Sequence, residues 1–191
     1  LQVMNTLQPG LCVLGTRLPG CFNVFEMSVR AVLGQQITVK AASTLAARLV
    51  AVYGTQVQTG IEGLTHSFPA PAAILALGEN ISEHLGKLGI ISARANTIYQ
   101  LARVLADEKN DFGFCGNPEE EMQKLQAIRG IGSWTAQYIA MRAMGWPDAF
   151  LPTDAGIKKA LPDHTPKELQ VLSEAWRPWR SYATVNLWNT L

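Results

Sequence analysis

Residues 125–138 of the chain have the sequence LQAIRGIGSWTAQY, and this stretch decides how the surrounding chain folds. Its apolar residues recur at intervals of three, which suits one face of a helix or a tight corner. Gly130 and Gly132 flank Ile131, so the backbone at both glycines is expected to take positive φ and to approach another molecule closely. The stretch predicts a helix, a glycine hairpin and a second helix.

The second helix is indicated by Trp134, Tyr138 and Met141, which follow one another at i, i+4 and i+7. The tip of the hairpin then exposes backbone N–H groups at the start of a helix, an arrangement that suits an anion such as phosphate. An ordinary turn between two helices is the alternative interpretation of the same pattern.

A second motif follows about twenty residues later, where residues 150–159 read FLPTDAGIKK. The pair LxxIxGIGxWTA and FLPxDxxIK resembles the helix-hairpin-helix (HhH-GPD) DNA glycosylases, and within them the 3-methyladenine DNA glycosylase II (AlkA) branch. Residues 25–39, which include RAVLGQQ, are similar to that family's early helix and DNA-probing turn. Residues 176–183, WRPWRSYA, together with Trp188, are similar to its last helices. These four motifs occur in the family's order and extend the resemblance over roughly residues 10–191.

An all-α fold is expected on two grounds, because helix signals recur along the chain with few strand signals and because the resemblance implies one. The implied architecture is two helical lobes with a DNA cleft between them. Residues 23–146 form one lobe, with the helix-hairpin-helix at about 118–143. Residues 1–22 and 147–191 form the second lobe, which carries the catalytic Asp. The family's N-terminal β-rich lobe is expected to be absent, so that residues 1–191 are the HhH-GPD region alone.

Helix boundaries are indicated by capping residues, prolines at first helical positions and acidic first turns. Helices are predicted to begin near Asn23, Thr38, Ala72, Ile81, Ser92, Asn117, Thr165 and Arg180. Residues 54–71 and 107–116 are predicted to be loops, and the chain up to residue 22 is expected to be irregular or extended.

The composition indicates a folded protein, since 48% of the residues are hydrophobic and 16% are charged. No apolar run reaches the roughly 18 residues that a membrane span requires, and no secretory signal is visible. We therefore expect a cytoplasmic, nucleoid-associated monomer that does not bind membranes.

Cysteine and histidine usage argues against a disulfide framework and against a metal site. Cys12, Cys21 and Cys115 are an odd number without close pairs, which favours a reducing compartment. Three cysteines cannot supply the four thiolates of an iron–sulfur cluster. The three histidines are isolated and lack ligand spacing.

Charge is unevenly distributed along the chain, although the net charge is only +1. Residues 122–191 hold eight Lys and Arg against five Asp and Glu, whereas residues 1–121 hold eight against ten. The hairpin half is therefore the more basic one. The excess of basic residues in this half is modest, which indicates that the protein contacts a short stretch of DNA and does not wrap a long one.

Asp154 admits two compatible interpretations. It precedes a run of residues that suits a helix, and Asp is a favoured N-cap. Breaking an N-glycosidic bond builds positive charge on the sugar, as in the oxocarbenium state of glycoside hydrolysis, and a fixed carboxylate stabilises that charge or orients water. The resemblance implies that Asp154 is the catalytic aspartate.

Trp134 bears on the reaction type. In bifunctional members of the superfamily the hairpin carries a Lys at this position, which attacks the sugar as an amine and leads to strand cleavage. Since Trp134 replaces that Lys, the resemblance implies a glycosylase without lyase activity that uses water as nucleophile and leaves an abasic site.

Aromatic residues are frequent in the last third of the chain, and core packing is expected for at least half of them. The functional interpretation is an electron-rich pocket for a flipped base. An alkylated purine is cationic, so stacking on Trp or Tyr adds cation–π attraction. The resemblance implies that Tyr138 and Trp188 line this pocket, with Trp134 close by.

The DNA-binding residues implied by the resemblance lie in two turns: Gln35 and Gln36 in the first, and Gly130, Gly132 and Ser133 in the hairpin. Gln36 stands where the AlkA branch has a Leu that fills the space left by the flipped base. A Gln there can fill the gap and also bond to the partner base, and a solvated turn residue is the alternative.

The resemblance implies one bound ion and no other cofactor. The backbone carbonyls of Gln126, Ile128 and Ile131 would hold a monovalent cation, Na⁺ or K⁺, that bridges to a DNA phosphate. The N–H groups of Gly130 and Gly132 would contact the same phosphate.

Two hypotheses of different classes follow. One is a DNA glycosylase that flips and excises alkylated purines of the 3-methyladenine and 7-methylguanine type from damaged double-stranded DNA in base excision repair. The other is a helix-hairpin-helix module that binds DNA without catalysis, or an inactive fragment of the enzyme. Asp154 and the aromatic cluster favour the first, since a binding module needs neither.

Overall fold

The computed structural model describes Asn5, residues 11–106 and residues 117–191. The described helices are α1 Val24–Leu33, α2 Val39–Tyr53, α3 Pro71–Leu75, α4 Ile81–Gly86, α5 Ser92–Leu105, α6 Pro118–Gln126, α7 Ser133–Arg142, α8 Ala155–Ala160, α9 Pro166–Ser173 and α10 Arg180–Trp188. Short 3₁₀ turns cover Gly78–Asn80 and Glu174–Trp176. The loop expected at residues 107–116 lies outside the described residues. Residues 1–4 and 6–10, in the segment expected to be irregular or extended, also lie outside them.

Side-chain caps fix several of the helix starts that the sequence indicates. Asn23 accepts a hydrogen bond from the backbone N–H of Glu26 at 2.8 Å, and Thr38 accepts from Ala41 at 3.2 Å. At α9, Thr165 and Glu168 form a reciprocal capping box. Each bond satisfies a donor that the first helical turn leaves free, which is why these residue types begin the helices.

The predicted all-α fold is confirmed in the described part of the chain, with one small addition. The expected loop at residues 54–71 contains two antiparallel strands, β1 Thr55–Gln56 and β2 His66–Ser67. At two residues each, these strands are too short to show the alternating pattern by which a sequence reveals a strand.

Two buried clusters organise the packing. The first is formed largely by α1, α5, α6 and α7, with Val29, Ile98 and Leu125 fully buried. The second gathers residues from α8, α9 and α10 and from the segment at Leu11, around the buried ring of Trp176. Helix α7 contributes to both clusters and therefore joins them. The lobe boundaries expected from the sequence stay a prediction.

A buried ion-pair network holds the start of α10 against the connection between α7 and α8. The Arg180 side chain is 5% exposed, and its Nε lies 2.8 Å from Oδ1 of Asp148, which is 8% exposed. Arg177 bonds to Asp148 at 2.5 Å and to Glu174 at 2.7 Å, and this last bond holds the pKa of Glu174 below its ordinary value. Removing one partner of a buried pair such as Arg180 with Asp148 typically costs about 3–5 kcal/mol of folding free energy.

The same connection is clamped a second time by Ser181. Its hydroxyl lies 2.7 Å from the carbonyl oxygen of Trp146, and its backbone N–H donates to Pro147 at 2.9 Å. Because the connection leads directly into α8, these bonds fix where α8 begins relative to α10.

Candidate nucleic-acid interface and active site

The hairpin between α6 and α7 rests on Thr97 of α5. Gly130 has φ +95°, and a Cβ added there would lie 2.0 Å from the Thr97 hydroxyl oxygen. That hydroxyl lies 3.0 Å from the carbonyl oxygen of Arg129, to which it can donate. Gly130 is therefore required both by its backbone conformation and by the space available.

Gly132 differs from Gly130, and the expectation of positive φ there is wrong. It has φ −88° and ψ 177°, an extended conformation that any residue adopts, and it is the N-cap of α7. A Cβ added at Gly132 would meet no atom within 4 Å. The position is thus open on the protein side, and any steric demand for glycine there must come from a bound molecule.

Backbone N–H groups at the start of α7 are available to a ligand. Within the described residues, the N–H groups of Gly132, Ser133 and Trp134 donate no hydrogen bond. Gly132 and Ser133 are exposed. Free donors at a helix N-terminus, where the helix dipole is positive, suit a phosphate oxygen.

The carbonyl groups expected to hold a cation have free acceptor capacity. Those of Gln126 and Ile131 accept no hydrogen bond from the described residues, and that of Ile128 accepts one, from the N–H of Ile131 at 3.0 Å. Carbonyl oxygens are hard ligands, so the donor chemistry of these three residues fits a hard cation.

Gln35 ties the turn after α1 to the hairpin. Its side-chain amide nitrogen lies 2.9 Å from the carbonyl oxygen of Gly130 and 2.9 Å from the Thr135 hydroxyl. The Arg94 guanidinium donates to the carbonyl oxygen of Gln35. The Gln35 amide is therefore engaged within the protein, where it holds the two predicted DNA-binding turns together.

Gln36 is exposed at the tip of that turn. It has φ +53°, in the left-handed region, and among the described residues no other non-glycine residue has positive φ. A non-glycine residue in this conformation is strained and is typical of functional turns. The left-handed backbone thus occurs at the residue that the sequence predicts to fill the space left by a flipped base.

Asp154 is the N-cap of α8 and receives four hydrogen-bond donors. Its Oδ1 accepts from the backbone N–H groups of Gly156 at 2.9 Å and Ile157 at 3.1 Å, and from the Trp188 indole at 2.8 Å. Its Oδ2 accepts, among the described residues, only from the Trp134 indole, at 3.1 Å. Four donors suit the ionised carboxylate, and Oδ2 keeps free acceptor capacity.

The contact between Trp188 and Asp154 depends on Gly156. A Cβ added at Gly156 would lie 2.7 Å from Cδ1 and 2.9 Å from Nε1 of the Trp188 indole. A side chain there would push the indole away from the carboxylate. Gly156 is thus a site residue whose role the sequence did not reveal, because nothing in the sequence places Trp188 over the first turn of α8.

The three predicted pocket aromatics lie together. Trp134 and Tyr138 stack with ring centroids 5.2 Å apart and planes inclined by 8°. Tyr138 lies 6.3 Å from Trp188 with a tilt of 48°. All three rings are partly buried, and the two indoles also bond to Asp154, so the aromatic wall and the carboxylate form one unit.

These groups line one open cleft with a free volume of about 2330 Å³. Pockets for small molecules typically enclose about 300–1,000 Å³, so a larger partner is indicated. Of the predicted site residues, the cleft is lined by Gln35, Gln36, Ile128, Gly130, Gly132, Trp134, Tyr138, Asp154 and Trp188. Gln126, Ile131 and Ser133 do not line it.

The charge of the cleft is much more positive than that of the chain. Its lining includes Arg30, Arg94, Lys124, Arg129 and Arg142, whereas Asp154 is the one acidic side chain among the described residues that line it. Comparing the charges of residues 1–121 and 122–191 did not reveal this concentration of cations, because Arg30 and Arg94 lie in the more acidic segment. Clustered cations around a cleft are the electrostatic pattern of a nucleic-acid-binding surface.

Residues 29–180 match the model of the HhH-GPD superfamily, described as base excision DNA repair proteins. The chain belongs to this superfamily. The matched residues include the hairpin, the cleft aromatics Trp134 and Tyr138, and Asp154, and the resemblance stated from the sequence motifs is thereby confirmed.

Two relatives of known sequence give the similarity in numbers. The chain is 38% identical over 176 residues to DNA-3-methyladenine glycosylase 2 of Escherichia coli, covering 92% of this chain and 61% of that protein. It is 42% identical over 182 residues to a Mycobacterium tuberculosis protein described as a probable bifunctional transcriptional activator/DNA repair enzyme AlkA, covering 93% and 35%. The chain thus spans about three fifths and one third of these two proteins.

A solved structure supports the fold. The 3-methyladenine DNA glycosylase from Archaeoglobus fulgidus superposes with a TM-score of 0.75 at 26% identity, covering 89% of this chain and 58% of that one. The helical arrangement described above is therefore that of a known DNA glycosylase structure.

Other classes of site find no support in the described part of the chain. No helix there is both long enough and apolar enough to cross a bilayer. No cluster of three His, Cys, Asp or Glu side chains there could hold a metal ion. Of the three cysteines, Cys12 and Cys21 are free, and burial raises the pKa of both thiols.

The two hairpin glycines are expected to differ in their contribution to stability. Gly130→Ala should lower the free energy of unfolding by about 2 kcal/mol or more, because it combines positive φ with a clash against Thr97. Gly132→Ala should cost about 1 kcal/mol or less, because Ala caps a helix less well than Gly but meets no neighbour. Urea denaturation of both variants measures the difference, and equal losses would contradict this account of the hairpin.

Proposed function

We propose that the protein is a monofunctional DNA glycosylase that excises alkylated purines from double-stranded DNA in base excision repair. The observation that carries the proposal is the Asp154 carboxylate, which lies in the cleft between two indole donors with Oδ2 only partly satisfied. Capping α8 occupies Oδ1, and a module that only binds DNA has no need of a second, partly free carboxylate oxygen in a basic cleft.

The carboxylate fits the charge that develops in this reaction. When the N-glycosidic bond breaks, its electron pair leaves with the base and positive charge accumulates on the sugar. A fixed anion beside the sugar stabilises that charge without having to reorganise. Since Oδ1 of Asp154 already accepts three bonds, Oδ2 is the atom proposed to face the sugar and the attacking water.

The aromatic wall fits the leaving group. A purine alkylated on a ring nitrogen carries positive charge, so a flipped base of this kind gains cation–π attraction from the faces of Trp134, Tyr138 or Trp188. The positive charge also weakens the glycosidic bond, so recognition by stacking on a permissive surface suffices. The similarity to enzymes named for 3-methyladenine supports this choice of substrate class.

Asp154→Asn is expected to reduce base excision by on the order of a hundredfold or more, because the lost charge acts mainly in the transition state. Asn is also a good N-cap, so α8 should still form. The measurement is single-turnover excision of 3-methyladenine from a duplex, with DNA affinity and thermal unfolding as checks. Asp163→Asn, the same change at an exposed residue in the turn after α8, is the matched control, and excision by Asp154→Asn at the wild-type rate would refute the assignment.

We further propose that water is the nucleophile and that the enzyme does not cleave the strand. Trp134 occupies the hairpin position of the lyase lysine, and its indole bonds to Asp154. Among the described residues that line the cleft, Lys124 is the one lysine. Its Nζ lies 2.7 Å from Oε1 of Glu121, so its amine is engaged in an ion pair.

Borohydride should consequently trap no covalent complex between the protein and lesion-bearing DNA. The product strand should stay intact until alkali cleaves the abasic site, because a Schiff base requires an amine nucleophile. Denaturing gels with and without alkali provide the measurement. A trapped adduct would identify another lysine as nucleophile, with Lys158 on α8 as the first to test by Lys158→Ala.

The hairpin is proposed to hold the DNA backbone. The free N–H groups of Gly132, Ser133 and Trp134 would bind a phosphate, and the carbonyls of Gln126, Ile128 and Ile131 would hold Na⁺ or K⁺ beside it. The bound cation would add positive charge next to the phosphate. Affinity for DNA should then be higher in sodium or potassium chloride than in tetramethylammonium chloride of equal ionic strength, since the organic cation is too large for a carbonyl site.

Gly132→Ala is expected to weaken binding to damaged and undamaged duplexes by the same factor, about tenfold. Its methyl group would crowd a phosphate, and phosphate contacts position a duplex without reading its bases. Fluorescence anisotropy with an abasic-analogue duplex and an undamaged duplex at fixed salt measures both affinities. Unchanged affinity in the folded variant would mean that the hairpin is only a turn between helices.

Gln36 is proposed to fill the space that the flipped base leaves. It lies exposed on a turn that is held by Arg94 and by the contacts of Gln35. Its amide can also bond to the unpaired partner base. The proposed assembly is a monomer on duplex DNA, acting at the nucleoid in the cytoplasm.

A further inference from the structure

Gln35 bonds to the hairpin on both sides of its free N–H groups. The two protons of its amide nitrogen meet two acceptors, the carbonyl oxygen of Gly130 and the hydroxyl of Thr135, each at 2.9 Å. An inverted amide would set its oxygen against the carbonyl oxygen, so the contacts determine its orientation. Residues 132–134, whose N–H groups are free among the described residues, lie between these two anchor points. The Gln35 side chain therefore fixes the donors proposed to bind a phosphate.

The backbone of the same residue holds the turn that carries Gln36. The N–H of Gln35 donates to the carbonyl oxygen of Val32 at 3.3 Å, and its carbonyl oxygen accepts from the Arg94 guanidinium. That carbonyl belongs to the peptide group that contains the backbone nitrogen of Gln36, and a peptide group is planar. Holding this group therefore fixes the direction in which the left-handed backbone of Gln36, at φ +53°, continues.

We propose that Gln35 is a positioning residue that sets how strongly the protein prefers damaged DNA to undamaged DNA. The proposal rests on the glycosylase function proposed above and on the role proposed there for Gln36. On a duplex whose bases all stay stacked, Gln36 has no gap to enter, and binding relies on the hairpin and the cations of the cleft. On a duplex that lacks one base, Gln36 enters the gap while the hairpin keeps its phosphate.

Two contacts on one rigid frame strengthen each other, because the second contact forms at a high effective concentration once the first has formed. This gain requires a fixed separation between the two turns, and Gln35 belongs to one turn and bonds to the other. Without the amide the turns can move apart. Each contact then remains possible, but the gain from making both at once is lost, and this loss affects damaged DNA alone.

Thr135 allows positioning to be separated from a direct contact with DNA. This residue is 2% exposed, so its hydroxyl is not available to a bound duplex, yet the hydroxyl accepts one of the two bonds of the Gln35 amide. Thr135→Val removes the hydroxyl and Thr135→Ser keeps it. A difference in DNA binding between these two variants therefore reports on the bond to Gln35.

The ratio of two dissociation constants measures the preference for damaged DNA. Fluorescence anisotropy at fixed salt gives Kd for an abasic-analogue duplex and for the undamaged duplex of the same sequence. Gln35→Met should lower the preference about tenfold, the effect of losing one or two hydrogen bonds, and should leave the affinity for undamaged DNA within about threefold of wild type. Thr135→Val should lower the preference in the same direction, and Thr135→Ser should restore it. Gln170→Met, the same change at an exposed residue of α9 that does not line the cleft, should leave it unchanged.

A double variant tests whether the effect depends on Gln36. Gln36→Ala removes the side chain proposed to enter the gap and should itself lower the preference for damaged DNA. Adding Gln35→Met to Gln36→Ala should then change the preference by less than about twofold, because no second contact remains to be coupled. A further tenfold loss in the double variant would show that Gln35 acts independently of Gln36 and would overturn the proposal.

Other results would also contradict the coupling. Equal losses for both duplexes in Gln35→Met would mean that Gln35 supports the hairpin alone or contacts a phosphate. A reduced preference in Gln35→Met with an unchanged one in Thr135→Val would mean that the Gln35 side chain touches the DNA directly. Thermal unfolding checks each variant: if Gln35→Met does not fold, Thr135→Val carries the test, and failure of both to fold would show a structural role. The glycosylase function would be refuted by a different result, the absence of base excision by the wild-type protein.

Discussion

The carboxylate of Asp154 is the point at which separate parts of the chain must meet. It caps α8 and binds indoles from α7 and α10. That convergence requires a glycine at position 156 and an α10 fixed in place by the bonds of Arg180 and Ser181 to the preceding connection. The helix cap, the aromatic rings and the buried ion pairs consequently depend on one another. Together they hold the Asp154 carboxylate in a fixed position inside a basic cleft.

Concentrating charge in the cleft resolves an apparent conflict between a net charge of +1 and a surface that suits DNA. The cations are contributed by α1, α5, α6, α7 and the hairpin, so they are scattered in sequence and close in space. Elsewhere on the described surface, acidic residues balance basic ones, as in the exposed pair of Glu83 with Lys87. The net charge of the chain is therefore a poor guide to this surface. The positions of the charged side chains in the fold determine its charge.

The sequence was sufficient wherever the signal is local. Capping residues located the starts of α1, α2, α6 and α9, and the motifs located Asp154 and the hairpin. It failed where the cause is a contact between distant residues: the positive φ expected at both hairpin glycines occurs only at Gly130, which Thr97 of α5 crowds. The clash that makes Gly156 necessary and the engagement of Gln35 with the hairpin are of the same kind.

The left-handed backbone at Gln36 has a consequence for evolution. A glutamine in this conformation is less stable than a glycine by about 1 kcal/mol or more, so selection for stability alone would favour glycine at position 36. Yet a glycine would present nothing to the DNA. Folding and the proposed role in probing DNA thus make opposite demands on this one residue, and the strain is sustained by the surrounding contacts of Gln35 and Arg94. Variation at position 36 among related chains should record how each of them resolves that conflict.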